Sequence, residues 1–421
     1  MIMKKTLGHL SAIILSVLCS SPGYPQQVRL VPAESAGMSD VALNVATERL
    51  QQHIDDGDIA GVVAAVARDG NIVYFEALGY LDLENVIPMP ADALFRTYSM
   101  TRQITSAAVL MLYEQGKFKF DDPIKQYLPE FEDQKVLRDP SSTDLKQVRN
   151  RIGDITVAHL LTHTSGLGSR SSRLYRENNV RDKNITLSEM VTNAARVPLF
   201  HDPGTQFRYG IHATILGKLV EVWSGQLFEE YLQEHLLNPL GMDSTMFWAP
   251  EEDLDRLSVV YRPVDGRLLS YQIETIPYTL RPRLIEGGVG LLSSVMDFMR
   301  FSQMILEGGL FNGDRILQEE TVALIYENAV PDQAMPIGGT GYWQGSGWTL
   351  GGFNLVLDNM DYNFSVSTGT IWWDGSAGTR YFIDPVQGTV IVIMAQVSPS
   401  SGGGFRENFS NMVDAAITDR R

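Results

Sequence analysis

The sequence predicts a mixed fold: an α/β lobe on an antiparallel sheet flanked by helices, with a mainly helical (all-α) domain inserted into it. Three observations lead there. Strand-like runs cluster near the two ends of the chain, at 60–79 and again at 351–395. Between them, apolar residues recur at helical spacing or give way to polar loops. The chain has 421 residues, 44% of them hydrophobic, enough to bury two lobes at about 100–200 residues each. The expected division is 38–98 with 284–421 for the α/β part and 99–283 for the helical part, behind a signal peptide at 1–25.

The elements follow in order. Lys4 and Lys5 precede an apolar run from Leu7 to Leu18, then small residues and Pro22-Gly23. This is the pattern of an export signal, too short to span a bilayer, so a periplasmic or secreted product is expected. The single cysteine, Cys19, lies in or beside that segment. Leu18 before it disfavours lipid attachment, which wants a small residue there. The mature chain then lacks cysteine, which excludes disulfides, thiol catalysis and cysteine-ligated metals. No other apolar run is long enough for a membrane span.

Ser39 reads as the cap of a helix carrying Leu43, Ala46, Leu50 and Ile54. Ala60 to Arg68, the turn Asp69-Gly70, and Ile72 to Gly79 read as a hairpin. Ser99 to Gln115 is a helix with Ile104, Ala107, Ala108, Met111 and Leu112 on one side and Gly116 as its C-cap. In the inserted section, Thr156 to Leu161 and Ala213 to Val222 are the clearest helices, while Asp139 to Arg151 and Ser169 to Asn184 read as loops. After Gly287-Gly288 come a helix at Val295 to Leu306 and strands at Gly351 to Leu357, Thr368 to Trp373, Thr379 to Ile383 and Thr389 to Ala395. A last helix runs from Arg406 to Ile417.

Net charge is -16 with pI ≈ 4.9, the wrong sign for a nucleic-acid partner. No serine sits in a Gly-x-Ser-x-Gly elbow, and neither a P-loop nor a G-x-G-x-x-G after a strand is present, so no cofactor is implied. His159 and His163 are four apart but lack the Glu of a zinc helix, so no metal site is assigned. His163 is expected to make a structural hydrogen bond.

Ser99 stands at the start of its helix. There the partial positive charge favours an alkoxide, and a free backbone N–H can donate to an oxyanion. Residue 102, one turn on, shares its face. From the local pattern alone an ordinary N-cap is the commoner explanation. The wider sequence separates the two. Phe95 to Phe131, FRTYSMTRQITSAAVLMLYEQGKFKFDDPIKQYLPEF, resembles the nucleophile helix of the serine β-lactamase and penicillin-binding-protein superfamily, closest to class C β-lactamases and family VIII esterases. LLTHTSGL at 160–167, PGTQFRY at 203–209, NPLGM at 238–242, LIEGGVGLLSS at 284–294 and WDGSAGTRYFIDP at 373–385 are similar to stretches of that family in the same order. The resemblance implies a β-lactamase-like fold with Ser99 as nucleophile.

It also implies the other roles. The second motif falls on Tyr209-Gly210-Ile211, with Tyr209 taking or relaying the serine proton. Ile211 replaces an asparagine that holds the amide of a β-lactam. The third falls on Trp373-Asp374-Gly375, where Trp373 replaces a lysine, Gly375 admits the substrate, and the Ser376 N–H is the second oxyanion donor. An apolar wall at Trp373 points to uncharged small esters or amides. His212, three residues after Tyr209, borders the pocket as an auxiliary base or is a surface residue. By themselves Tyr209 and Trp373 also fit a loop tyrosine and a core tryptophan.

The departure is Arg102, where the family has the lysine of Ser-x-x-Lys. A guanidinium cannot be deprotonated and cannot be a general base. It can place charge beside Tyr209 and favour tyrosinate, or pair with a carboxylate. The expected function is an exported serine hydrolase acting through an acyl-enzyme on small esters or amides. The alternatives are a catalytically impaired relative that binds peptidoglycan fragments, a β-lactam or D-amino-acid peptide hydrolase, or an acyltransferase. These motifs leave the oligomeric state open.

Overall fold

The computed structural model describes residues 30–272, 278–338, 341–362, 364–400 and 402–421. The export signal and Cys19 lie outside the described residues.

Eight strands form one antiparallel sheet: β1 (Gly61–Arg68), β2 (Asn71–Asp82), β3 (Ile87–Pro88), β4 (Ser346–Trp348), β5 (Asn354–Val356), β6 (Ile371–Asp374), β7 (Thr379–Asp384) and β8 (Thr389–Ala395). Their order is β4-β5-β6-β7-β8-β1-β2-β3, so the two ends of the sequence meet where β8 pairs with β1. Asp69 and Gly70 turn β1 into β2 with φ of 48° and 76°, the left-handed pair that a two-residue turn needs.

Every residue of β1 is buried. Its side chains alternate between two cores, as the twofold period of a strand requires. Val62, Ala64 and Val66 face α1 (Asp40–Asp55) and the last helix, Phe405–Ala415. Val63, Ala65 and Ala67 face the larger core containing Val295–Leu306 and the inserted section. Helices on both faces explain why this strand reads as a continuous apolar run.

In the inserted section, α2 (Thr101–Glu114) packs on α3 (His212–Ser224). Both are buried around much of their circumference, the pattern of central helices. The helix predicted from Ser99 begins instead with a 3-10 turn, Tyr98–Met100, and Thr101 opens the α-helix proper.

The section is not helices and loops alone. Val136–Leu137 pairs with Val148–Arg149, and Tyr261–Val264 pairs with Arg267–Ser270. The first of these ladders is two residues long and carries no period to detect. The second hairpin turns on Asp265-Gly266, the same Asp-Gly signal as at 69–70. A short helix, Arg173–Glu177, lies in the stretch expected to be loop, capped by Ser172, whose hydroxyl accepts from the Tyr175 N–H.

Candidate active site

The turn bearing Ser99 is clamped from below. The Thr97 N–H and hydroxyl both donate to the Leu291 carbonyl, at 3.0 and 2.9 Å, and the Leu291 N–H donates to the Thr101 hydroxyl at 3.1 Å. Tyr98, fully buried, takes a left-handed φ of 44°, which costs a non-glycine residue about 1–2 kcal/mol. Packing overrides that cost and presents Ser99, half-buried, at the surface of the turn.

Tyr209 reaches Ser99 from a loop that the LLTHTSGL segment holds. The Arg208 N–H donates to the His163 carbonyl at 2.8 Å, and the Ile211 N–H to the Gly168 carbonyl at 3.1 Å. A Cβ at Gly210 would lie 2.3 Å from the Gly168 oxygen, so only glycine allows this approach. The Tyr209 phenol accepts the Trp373 indole N–H at 2.9 Å, and the Ser99 hydroxyl stands near enough to lower its pKa.

Burial pushes the Tyr209 phenol above the ordinary tyrosine value. The Arg102 charge and the Ser99 and Trp373 groups pull the other way without offsetting it. The resting group is therefore the neutral phenol: Arg102 favours tyrosinate, as expected, but burial outweighs it.

Arg102 is 6% exposed and stays protonated, although burial pulls its pKa down. Its guanidinium carbon sits 4.2 Å from the centre of the Tyr209 ring, and one terminal nitrogen donates to the Gly210 carbonyl at 2.8 Å. No carboxylate pairs with it among the described residues. Ser99, Arg102, Tyr209 and Ile211 line one cleft of about 80 Å³.

Trp373 does not line that cleft. It is 3% exposed, packed against Trp348 and Trp343 with ring centres 4.6 and 5.4 Å away. The apolar wall expected for a substrate is instead a block behind Tyr209. The Trp373 indole, carried on β6, donates to the Tyr209 phenol from within that block.

His212 is likewise behind the site, not at its border. As the first residue of α3 it points inward, fully buried, and its Nδ1 lies 2.8 Å from Nδ1 of His163. Burial holds both imidazoles well below the ordinary histidine range, so both are neutral and one donates to the other. His159 is used elsewhere, its ring accepting from the Thr156 N–H at the start of its helix.

Gly375 and Ser376 follow β6 and turn beside the Ser99 loop. A Cβ at Gly375 would fall 2.3 Å from the Thr379 hydroxyl and 2.5 Å from the Thr97 carbonyl, two residues before Ser99. The N–H groups of Ser99 and Ser376 donate to no acceptor among the described residues. Such a pair is the kind of donor set that an oxyanion needs. Asp374 fixes this turn through Arg380, at 2.9 Å, and Arg406, at 3.2 Å.

The family described as Beta-lactamase matches residues 46–412. The chain belongs to this family. Esterase EstB of Burkholderia gladioli is 30% identical over 377 residues, 82% of this chain and 88% of the relative. Monacolin J acid methylbutanoyltransferase of Aspergillus terreus is 26% identical over 393 residues, 87% and 93% of the two chains. Among solved structures, EstCE1, described as a hydrolase with promiscuous acyltransferase activity, has a TM-score of 0.77 at 25% identity and covers 89% of this chain and 99% of that one. As a β-lactamase-family chain with such relatives, the protein is a hydrolytic or acyl-transferring enzyme.

Sequence reasoning missed several residues of the cleft in this family member: Arg170, Arg181, Met190, Thr214 and Glu286. Only Glu286 left a signal. A single carboxylate between Ile285 and Gly287, in an otherwise apolar run, must find a cation when buried. It is 2% exposed and pairs with Arg181.

Proposed function

We propose that the protein is an exported serine enzyme that cleaves small esters or amides through an acyl-enzyme. What carries this is the Tyr209 phenol, which shares the cleft with Ser99, lies near enough for the Ser99 hydroxyl to act on it, and takes the Trp373 N–H. The Ser99 oxygen attacks the carbonyl carbon, and its proton passes to the Tyr209 oxygen. The carbonyl oxygen becomes an anion held by the Ser99 and Ser376 N–H groups. The bond to the alcohol or amine breaks, and the leaving group takes the proton from Tyr209. Water or a second alcohol then attacks the acyl carbon and frees Ser99. Because Tyr209 rests neutral, the reactive species is its ionised fraction, with Arg102 as fixed positive charge and not as base. Ile211 gives no amide-binding group for a β-lactam, which favours esters.

The test is turnover of p-nitrophenyl acetate and butyrate and of a chromogenic cephalosporin, with and without an added alcohol acceptor. Ester hydrolysis exceeding β-lactam hydrolysis, and lost in Ser99→Ala, is expected. Equal ester turnover in Ser99→Ala would overturn the proposal. Export rests on the leader at 1–25 alone and is checked by N-terminal sequencing of the protein secreted by its host.

One observation favours a second reading. With Arg102 unable to accept a proton and Tyr209 held neutral, the pocket can bind without turning over, as in a receptor for peptidoglycan fragments. An inert wild type with an active Arg102→Lys variant would establish it.

A further inference from the structure

The cleft beside Ser99 is more positive than the rest of this acidic chain. Three arginines line it, Arg102, Arg170 and Arg181, against one carboxylate, Glu286. Glu286 is taken up by Arg181. Neither of the other two has a carboxylate partner among the described residues. Arg102 is nine-tenths buried, lines the cleft, and its Nε has no hydrogen-bond partner there. A buried donor left in this state carries a desolvation cost that a bound acceptor would relieve.

Arg170 is the second observation, and it is independent of the first. It makes no hydrogen bond or ion pair among the described residues, while its neighbours in the chain are tied down. The Gly168 N–H donates to the Tyr175 hydroxyl at 2.8 Å, the Ser172 N–H to the Ser169 carbonyl at 2.9 Å, and the Ser169 and Ser171 hydroxyls lie 3.0 Å apart. A short turn locked at both ends thus carries an uncompensated guanidinium over the cleft that holds the nucleophile. In a chain of net charge -16, such a charge pair beside Ser99 selects for anions.

We propose that the acyl group accepted by this cleft ends in a carboxylate, that Arg170 is its counter-ion, and that short dicarboxylic acid monoesters are the substrate class. The proposal rests on the acyl-enzyme reading above and specifies its substrate. The planar fork of a guanidinium matches a carboxylate in two parallel hydrogen bonds. With the ester carbonyl at Ser99 and the carboxylate at Arg170, both of which line this cleft, the carbons between them lie within it. Ile211 and Met190 supply the apolar flank for those carbons. The remote carboxylate takes no part in bond making. It orients the ester so that its carbonyl faces Ser99. The uncharged esters implied by Trp373 are thereby demoted, since that tryptophan faces Tyr209 and not the cleft.

The experiment compares monoethyl glutarate with ethyl pentanoate, which has a methyl in place of the terminal carboxylate, by acid release at constant pH. The wild type is expected to favour the glutarate by about tenfold or more in kcat/KM, mostly through KM. Arg170→Gln should bring the ratio near unity, and Arg170→Lys should keep part of it. Added salt should shrink the ratio in the wild type. A wild type that prefers ethyl pentanoate, or a ratio unchanged in Arg170→Gln, overturns the proposal. A binding arm separates it from the acyl-enzyme reading. Calorimetric titration of Ser99→Ala with monoethyl glutarate, alone and with Arg170→Gln added, needs no turnover. Binding weakened about tenfold by Arg170→Gln sustains the anion site even if no ester is cleaved. Equal binding by the two proteins overturns it.

Discussion

The two sides of Ser99 are made of opposite materials. Behind Tyr209 stand Trp343, Trp348 and Trp373 and the neutral pair His163–His212. In front lies a cleft lined by Arg102, Arg170, Arg181 and Glu286. Trp373 and Arg102 stand at the two motif positions where β-lactamases carry lysine, and the charge that remains, with Arg170 and Arg181, lies in front. Tyr209 is the boundary, and its pKa shows which side wins. Burial raises the phenol's pKa by more than the Arg102 charge and the Ser99 and Trp373 groups lower it, so burial sets the protonation state.

The most severe way to break this comparison is to remove the boundary. Tyr209→Phe keeps the ring, the cation–π contact and the packing but deletes the oxygen, and kcat should fall by about 10²–10⁴ with little change in Tm. The pH profile sharpens the same point. Since the reactive form is ionised Tyr209 and its pKa lies above the ordinary 10.0, log kcat/KM should climb by about one per pH unit from neutrality to pH 10 without a plateau. A plateau near neutrality would assign the base to another group.

Next in size is Trp373→Phe. It leaves the aromatic block nearly full but removes the N–H that favours the ionised phenol, and kcat/KM at pH 8 should drop about tenfold. If the rear block acted by packing alone, activity would hold and only Tm would move.

A last effect falls on stability. The His163 and His212 pKa values are depressed in the fold, so their contribution is present above the ordinary 6.5 and lost as pH falls below it. Each histidine contributes a slope of up to about 1.4 kcal/mol per pH unit. Urea unfolding between pH 7 and pH 5 should show the loss, with a shallower slope in His212→Gln.

Legibility differed along the same boundary. The sheet was readable because β1, β2, β7 and β8 are long enough to show their pattern and their turns are chemical, as at Asp69-Gly70. Ser99, Arg102 and Tyr209 were readable because helix pitch and motif order fix which residues meet. Trp373 and His212 were recognised as neighbours of the site, but a residue type does not tell on which side of Tyr209 its side chain falls. That is decided by the β6 register and by the inward face of α3. Arg170 left no trace, because a cation among serines in a polar loop looks like any solvated surface. Only the turn around Ser172 and the fold of the loop over Ser99 give it a place.

The most direct test of the central claim is covalent labelling of Ser99. Wild-type protein treated with a fluorophosphonate should gain one adduct by intact mass, mapped to the peptide containing Ser99, at a rate that rises with pH and collapses in Tyr209→Phe. Absence of an adduct, or an adduct that persists in Ser99→Ala, would contradict the account of Ser99 as a nucleophile driven by Tyr209.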